Sequence, residues 1–337
     1  MQFKSFYNDW VDCSGMIAEN GKNHTINLSV DFFKDLKFDA DTLKKYRIDA
    51  ATRCAETLGE NPALCLSGGV DSQAMIQCWV EAKLKFDVVI GVFNDGLNEH
   101  DVNHAMQFCK KFDVPYKELN INITELLARD NFAISERYKS ISPHFNTHYK
   151  IVELLSDLGY TGSCFGGVAP FLRNGNWGQN FSGAPFHFVK IQNELPIPMQ
   201  GSFLSFSPEL AWAIGLQTPE TNHMNNRYLL PTEQGTIDFV NAVRYAEKLE
   251  GYTNSGFKLI PQETKFTGFE YVKKYYEKKY KDGWAFEKQF RFPIAKMYGK
   301  DPHEYLFSLT DDLASALASI HRECLTSSQY PSTRVRV

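Results

Sequence analysis

The stretch Leu64-Cys65-Leu66-Ser67-Gly68-Gly69-Val70-Asp71-Ser72 decides the fold of this 337-residue chain. An apolar run of a buried strand's length enters it, a run with helical apolar spacing leaves it, and a turn of Ser and Gly joins the two. Glycines at 68 and 69 take backbone angles closed to other residues and bring amides close to a ligand. Ser67 and Ser72 add hydroxyl donors beside a helix N-terminus, whose dipole favours negative charge. The stretch reads as an anion cradle with phosphate or pyrophosphate as its natural guest. It lacks the Gly-Lys-Ser/Thr ending of the Walker A loop and the third glycine of the dinucleotide fingerprint.

Working outward, strands alternate with helices. Ala63 to Leu66 is a short buried strand, and Gln73 to Ala82, apolar at most positions, is a helix covered on more than one side. Phe86 to Phe93 is a second strand, Val102, Ala105, Met106 and Cys109 mark a helix face, and Tyr116 to Ile121 is a third strand. Ile151, Leu154, Leu155 and Leu158 give a further helix stopped by Gly159, and Ser163-Cys164-Phe165 opens a fourth strand. This alternation predicts an α/β fold with a doubly wound, mostly parallel sheet, whose ligands sit beyond the carboxyl ends of the strands. Ahead of it, residues 1–40 form a small β-rich entry with a hairpin signal at Asn20-Gly21 and an alternating segment His24 to Val30. Asp39 or Asp41 caps a helix running to about Leu58. The sheet domain is expected over 41–230, and helical patterns dominate the C-terminal region, 231–337, through Ile237, Val240, Val243 and Ala246, then Phe269, Val272 and Tyr276, then Leu313, Leu317 and Ile320.

Composition narrows the class. No apolar run approaches the ~20 residues that span a bilayer, and Met1 to Trp10 lacks a signal peptide's apolar region, so a soluble cytoplasmic protein without membrane partners is expected. Seven cysteines, odd in number and widely spaced, read as reduced core residues, with no Cys-x-x-Cys or zinc spacing among them. The net charge of −4 is unevenly spread: residues 265–300 hold ten Lys/Arg against four acids, a local +6 interleaved with aromatics. That pattern fits either a nucleic-acid surface or an amphipathic helix with a solvated basic face.

The loop residues Ser67, Gly68, Gly69, Asp71 and Ser72 resemble the Ser-Gly-Gly-x-Asp-Ser signature of the PP-loop (N-type) ATP pyrophosphatases. Together with Glu99-His100-Asp101 and the Gly166-Gly167 pair after the fourth strand, they look most like the synthetase half of asparagine synthetases, without the glutaminase domain. The resemblance implies an adenine nucleotide alpha hydrolase-like (HUP) fold, ATP and Mg²⁺ as cofactors, and cleavage between the α and β phosphates. It departs in two places. Gln2 stands where the glutaminase nucleophile is a cysteine, so ammonia comes free or from a partner. Gly166-Gly167-Val168-Ala169-Pro170-Phe171 replaces a Gly-x-Gly-Ala-Asp-Glu segment, so a second metal carboxylate is missing. The zinc cysteines of the 7-cyano-7-deazaguanine synthases and the paired cysteines of several tRNA thiolases are also absent.

The resemblance and the strand ends together nominate Leu66, Ser67, Gly68, Gly69, Val70, Asp71, Ser72, Phe93, Asn94, Gly166 and Gly167 for the nucleotide, Asp71 and Ser72 for catalysis, and Asp71 and Asp95 for the metal. Asp95 equally suits a plain Asn-Asp-Gly turn. Arg173 and Lys190 are candidates for a substrate anion, the first within and the second just beyond a Gly- and aromatic-rich segment (166–188) that reads as a lid or wall. Cys164 reads as a buried strand cysteine, and His144 and His148 as local hydrogen-bonders. Three functions follow. The first is an AMP-forming ligase or amidotransferase-like enzyme adenylating a small substrate, with ammonia or another nucleophile. The second is a nucleobase or tRNA modifier docking nucleic acid through 265–300, and the third a nucleotide-binding protein without catalysis. A homodimer stays open.

Overall fold

The computed structural model describes residues 11–12, 27–28, 36–140, 142–167, 171–173, 176–178, 194–218, 248–262, 269–297 and 299. In the entry segment, β1 (Val11–Asp12) pairs antiparallel with β2 (Asn27–Leu28). Asp39 then caps α1 (Ala40–Ala55), its Oδ1 accepting from the Thr42 amide at 2.9 Å. This satisfies one of the donors that every helix N-terminus leaves open.

The parallel core follows: β3 (Pro62–Cys65), α2 (Val70–Glu81), β4 (Asp87–Phe93), α3 (Glu99–Phe112), β5 (Tyr116–Ile121), then α4 (Ile123–Glu125) and α5 (Asn131–Tyr138) joined by a π-turn, α6 (Pro143–Asp157) and β6 (Gly162–Phe165). β7 (Phe171–Arg173) and β8 (Asn176–Gly178) form a separate antiparallel pair. β9 (Met199–Gln200) returns to the main sheet, and α7 (Pro208–Gln217) follows a 3-10 turn. Residues 248–254 are helical, as are α8 (Glu270–Tyr280) and α9 (Phe292–Met297).

The main sheet has the order β5-β4-β3-β6-β9, and every neighbouring pair is parallel. Counted along the parallel strands this is 3-2-1-4-5, so the chain reverses direction of winding between β3 and β6. The crevice beyond the carboxyl ends of those two strands is where a doubly wound sheet holds its ligand. Alternate strand residues serve opposite faces. Leu64, Val88 and Ile90 pack with α1, α2, α3, α7, Tyr252 and Phe257, whereas Ala63, Val89 and Phe93 pack with α5, α6, α8, Phe286 and Phe290. Described residues between 252 and 290, from Tyr252 and Phe257 on one face to Phe269, Val272 and Phe290 on the other, thus join the two cores of the sheet.

Three local expectations shift. The helix after β3 begins at Val70 rather than Gln73, because Gly69 is the extended N-cap (φ −71°, ψ 157°) and Val70, Asp71 and Ser72 form the first turn. Of the two loop glycines only Gly68 is left-handed (φ +79°). β9, α5 and α7 add to the elements expected from the sequence: α7 opens on a Ser207-Pro208-Glu209 start signal with Ser207 as N-cap, whereas β9 is two residues between Pro198 and Gly201, too short for periodicity to register. The expected helices around Ile237–Ala246 and Leu313–Ile320 lie outside the described residues, as do Phe181, Phe186 and Lys190.

Candidate active site

A cavity of about 460 Å³ opens at this switch point. Its floor is the β3–α2 turn. The Ser67 amide donates to Ser72 Oγ at 3.2 Å, the two serine hydroxyls lie 3.3 Å apart, and Ser72 Oγ donates to the Gly69 carbonyl at 2.9 Å. Gly69, Val70, Asp71 and Ser72 all line the cavity, so the N-terminus of a twelve-residue helix, whose first amides have no intrahelical acceptor, opens onto it.

Packing explains why glycine stands around this floor. A Cβ on Gly68 would lie 2.6 Å from the Asp101 carbonyl oxygen, and one on Gly166 would lie 2.5 Å from the Ser72 nitrogen. Backbone therefore meets backbone on two sides of the turn, and no side chain fits between. Gln73, fully buried, secures the turn from behind: Nε2 donates to Gly68 O (2.7 Å) and Ile260 O (2.9 Å), while Oε1 accepts from Ile260 N (2.7 Å). One helical turn on, Gln77 makes the same two-way clamp on Lys258.

Asp71 points to the C-terminal region. Its Oδ2 pairs with Lys248 Nζ, and its Oδ1 accepts from Tyr252 Oη at 2.6 Å. Lys248 and Tyr252 are four residues apart, on one face of the 248–254 helix. Burial first, and the adjacent carboxylate second, push the Tyr252 phenol well above its ordinary value, so it stays protonated and donates. Lys248 lines the cavity beside the helix N-terminus and places a cation where an anion would lie.

The far wall is made of rings. His144, His148, Phe93, Phe165 and Phe269 line it; the His144 and Phe269 centroids are 4.0 Å apart, and those of His148 and Phe165 4.9 Å. Burial lowers the His148 pKa to about 4; burial, followed by the Arg291 and Lys273 cations, holds His144 well below the usual imidazole range. Both rings are neutral near pH 7. They are thus cavity walls, beyond the local hydrogen-bonding the sequence suggests, although His144 Nδ1 does lie 3.4 Å from Ser142 Oγ.

Most residues nominated from the sequence meet here. Leu66, Ser67, Gly69, Val70, Asp71, Ser72, Phe93, Gly166 and Gly167 line the cavity; Gly68 supports it from below. Asn94 and Asp95 do not line it. The Asn94 amide bonds to Thr124 Oγ1 (3.1 Å) and Asp95 Oδ2 (2.8 Å), a turn-holding role, and Asn98 instead takes the wall position, tying Phe93 N and Gly91 O. Asp95 and Asp71 are therefore not partners in the cavity wall. Arg173 lies on β7, its backbone registered against Asn176. Cys164 is fully buried, its thiol pushed well above its ordinary pKa chiefly by burial, which suits a core residue and not a nucleophile. Sequence reasoning missed Lys248, Tyr252 and Gln73. The i, i+4 spacing of Lys248 and Tyr252 was readable, but nothing local pointed it at Asp71.

A nucleotide's phosphates fit this floor, because amides, hydroxyls and Lys248 supply donors that small glycines leave uncovered. For a metal, no group of three or more His, Cys, Asp or Glu side chains is arranged as a ligand set among the described residues. Asp71 and Asp101 both line the cavity, Asp101 with Gln262 Nε2 at 3.2 Å from its Oδ1. Both oxygens of each carboxylate are already engaged, those of Asp71 by Lys248 and Tyr252 and those of Asp101 by Gln262 and, at 3.6 Å, His100, so the described residues do not form a magnesium site. No helix among the described residues is long and apolar enough to cross a membrane.

No family model matches the sequence, and no curated protein matches it. Among solved structures, the chain is similar to the U34-tRNA thiolase NcsA from Methanococcus maripaludis with its 4Fe-4S cluster, at 11% identity over 83% of this chain and 86% of that one, TM-score 0.37. It is also similar to NMN synthetase from Francisella tularensis, at 12% identity over 67% of this chain and 100% of that one, TM-score 0.32. Overlaps of this size add nothing on chemistry; the fold rests on the sheet itself.

Proposed function

We propose that the chain is an ATP-dependent, AMP-forming enzyme of the ligase type. The observation that carries this reading is the Ser67–Ser72 turn, opening at the sheet's switch point with Lys248 beside it. An oxygen of a small acceptor, from a carboxylate, amide or carbonyl, attacks the α-phosphorus; the bond to the bridging oxygen breaks, and pyrophosphate leaves with that electron pair. Ammonia or another nucleophile then displaces AMP from the adenylated acceptor. Donors fixed in place before reaction stabilise charge that develops in the transition state. In this chain they are the first-turn amides of α2, the Ser67 hydroxyl and Lys248, with Ser72, whose own proton goes to the Gly69 carbonyl, holding the turn. Asp71 holds Lys248 at the floor, Tyr252 holds Asp71, and the ring wall excludes water. Amidation by ammonia in the manner of asparagine synthetases rests on the resemblance of the loop, Glu99–Asp101 and Gly166–Gly167.

The test is product analysis from α-labelled ATP with Mg²⁺, offering amino acids, other carboxylates and ammonia, with wild type, Lys248→Met and Asp71→Asn. AMP and pyrophosphate that require an acceptor, and that fall about 10²-fold or more in Lys248→Met, support the reading. Release of ADP overturns it. ATP binding with no pyrophosphate across the panel identifies a nucleotide-binding protein instead.

A further inference from the structure

The basic, aromatic segment beyond the cavity has no part in adenylation, and its geometry points to a second ligand. α8 buries Val272 and Tyr276. On the opposite side Tyr271, Lys274, Lys278 and Lys281 recur at helical spacing, a stripe about 15 Å long. Lys274, Lys278, Lys279 and Lys281 are exposed and make no ion pair among the described residues. Most nearby acids are engaged: Glu287 lies 3.3 Å from Lys273 and faces Arg291, Asp282 holds Lys288 at 2.7 Å, and Glu270 faces His100. Among the described acids of 269–297, Glu277 is the one left without such a partner beside the four lysines.

Large rings stand at both ends of the stripe. Tyr271 is 41% exposed, Tyr280 49% and Trp284 51%, and Tyr280 also stacks on Tyr276 with centroids 6.3 Å apart. The lysine heads sit over several of these rings, Lys274 over Tyr271 at 5.9 Å and Lys279 over Tyr280 at 5.4 Å. The stripe also begins at the cavity. Phe269, the residue before α8, is part of the ring wall, and Tyr271 packs on His100, next to Asp101 of the wall, with centroids 4.2 Å apart.

We propose that this face of α8, with Trp284, docks single-stranded nucleic acid and leads it to the cavity rim. The lysines, which make no ion pair among the described residues, follow the phosphates; as Lys274 and Lys279 turn to them they uncover the half-exposed rings of Tyr271 and Tyr280, which with Trp284 accept unstacked bases, whereas a duplex offers no free base face to them. A lipid surface would use the cations but leave the spaced rings unexplained. The inference goes beyond the ATP reading and stands without it.

The experiment is fluorescence anisotropy of a labelled oligouridylate, without ATP, across a potassium chloride series, on the full chain. Wild type is expected to bind the single strand in preference to a duplex. Lys274→Gln with Lys278→Gln and Lys281→Gln is expected to flatten the log–log salt slope by about 2, since each phosphate left without its lysine lowers the slope by about 0.7. Trp284→Ala is expected to weaken binding about fivefold or more at any salt. These sites are exposed, and matching circular dichroism melts verify the variants' folding. No binding to the oligouridylate, an unchanged slope in the lysine variant, or binding only to phosphatidylserine vesicles overturns the proposal. ATP binding, measured separately by calorimetry, reports on the cavity and is expected to be the same in all of them.

Discussion

Gly68→Ala isolates what the floor of the cavity requires. Two costs add at this position. The backbone is left-handed (φ +79°), which for an L residue costs about 1–2 kcal/mol. The new methyl would also meet the Asp101 carbonyl at 2.6 Å and the Ala105 nitrogen at 3.1 Å, both backbone of α3 and unable to swing aside. Overpacking of this kind costs about 1–3 kcal/mol, giving about 2–5 kcal/mol in all. Two other glycines separate these terms. Gly159 is equally left-handed (φ +83°) with nothing within 4 Å of its Cβ position, so Gly159→Ala bears the first cost alone. Gly283 has open space and no positive φ, so Gly283→Ala should stay within about 0.5 kcal/mol of wild type. Urea unfolding followed by circular dichroism ranks the three, and calorimetric titration with ATP accompanies it. Gly68→Ala should be the least stable and the only one of the three to lose ATP affinity. If it melts with Gly159→Ala and binds ATP as wild type does, α3 does not abut the turn as described, and the packing account of the cradle fails.

Further outcomes follow from neighbouring groups. Gln73→Leu leaves Gly68 O and both polar groups of Ile260 without their partner, and urea unfolding should show a loss of about 2–4 kcal/mol, with Gln77→Leu, at a more exposed clamp, costing less. His148, whose folded pKa is lowered to about 4 against about 6.5 unfolded, takes up a proton in the unfolded chain first. Its contribution to stability is therefore complete above about pH 6.5 and is lost as pH falls toward 4, up to about 3 kcal/mol. A His148→Gln variant should show a shallower decline in denaturation midpoint between those pH values, and an unchanged slope would refute the buried neutral ring. Tyr252→Phe removes one of the two partners of Asp71 but leaves Lys248; product assays should show a smaller loss of pyrophosphate release than in Lys248→Met.

Much of this was legible in the chain. A four-residue apolar run, a Ser/Gly turn and a helical run are local patterns, and they placed β3, the turn and α2 to within three residues. Repetition of strand and helix through Phe165 fixed the parallel, doubly wound class, since parallel strands require crossovers. What local pattern could not carry was distance along the chain. Asn94 and Asp95 follow β4, whose position alone points them at the crevice, yet Asn94 is drawn to Thr124 in α4, just beyond β5, and Asn98 takes the wall. Lys248 and Tyr252 lie 177 and 181 residues from Asp71, and Ile260 lies 187 from Gln73.

The sequence by itself determined where the Ser/Gly turn and the helix start behind it fall, because backbone freedom, hydroxyl donors and a helix start are properties of adjacent residues. The tertiary structure decided what charge meets that cradle and which rings wall it. Those depend on pairing Asp71 with Lys248 and on bringing α6 and Phe269 to the ends of β3 and β4, an arrangement selected by packing between segments whose own periodicities do not name a partner.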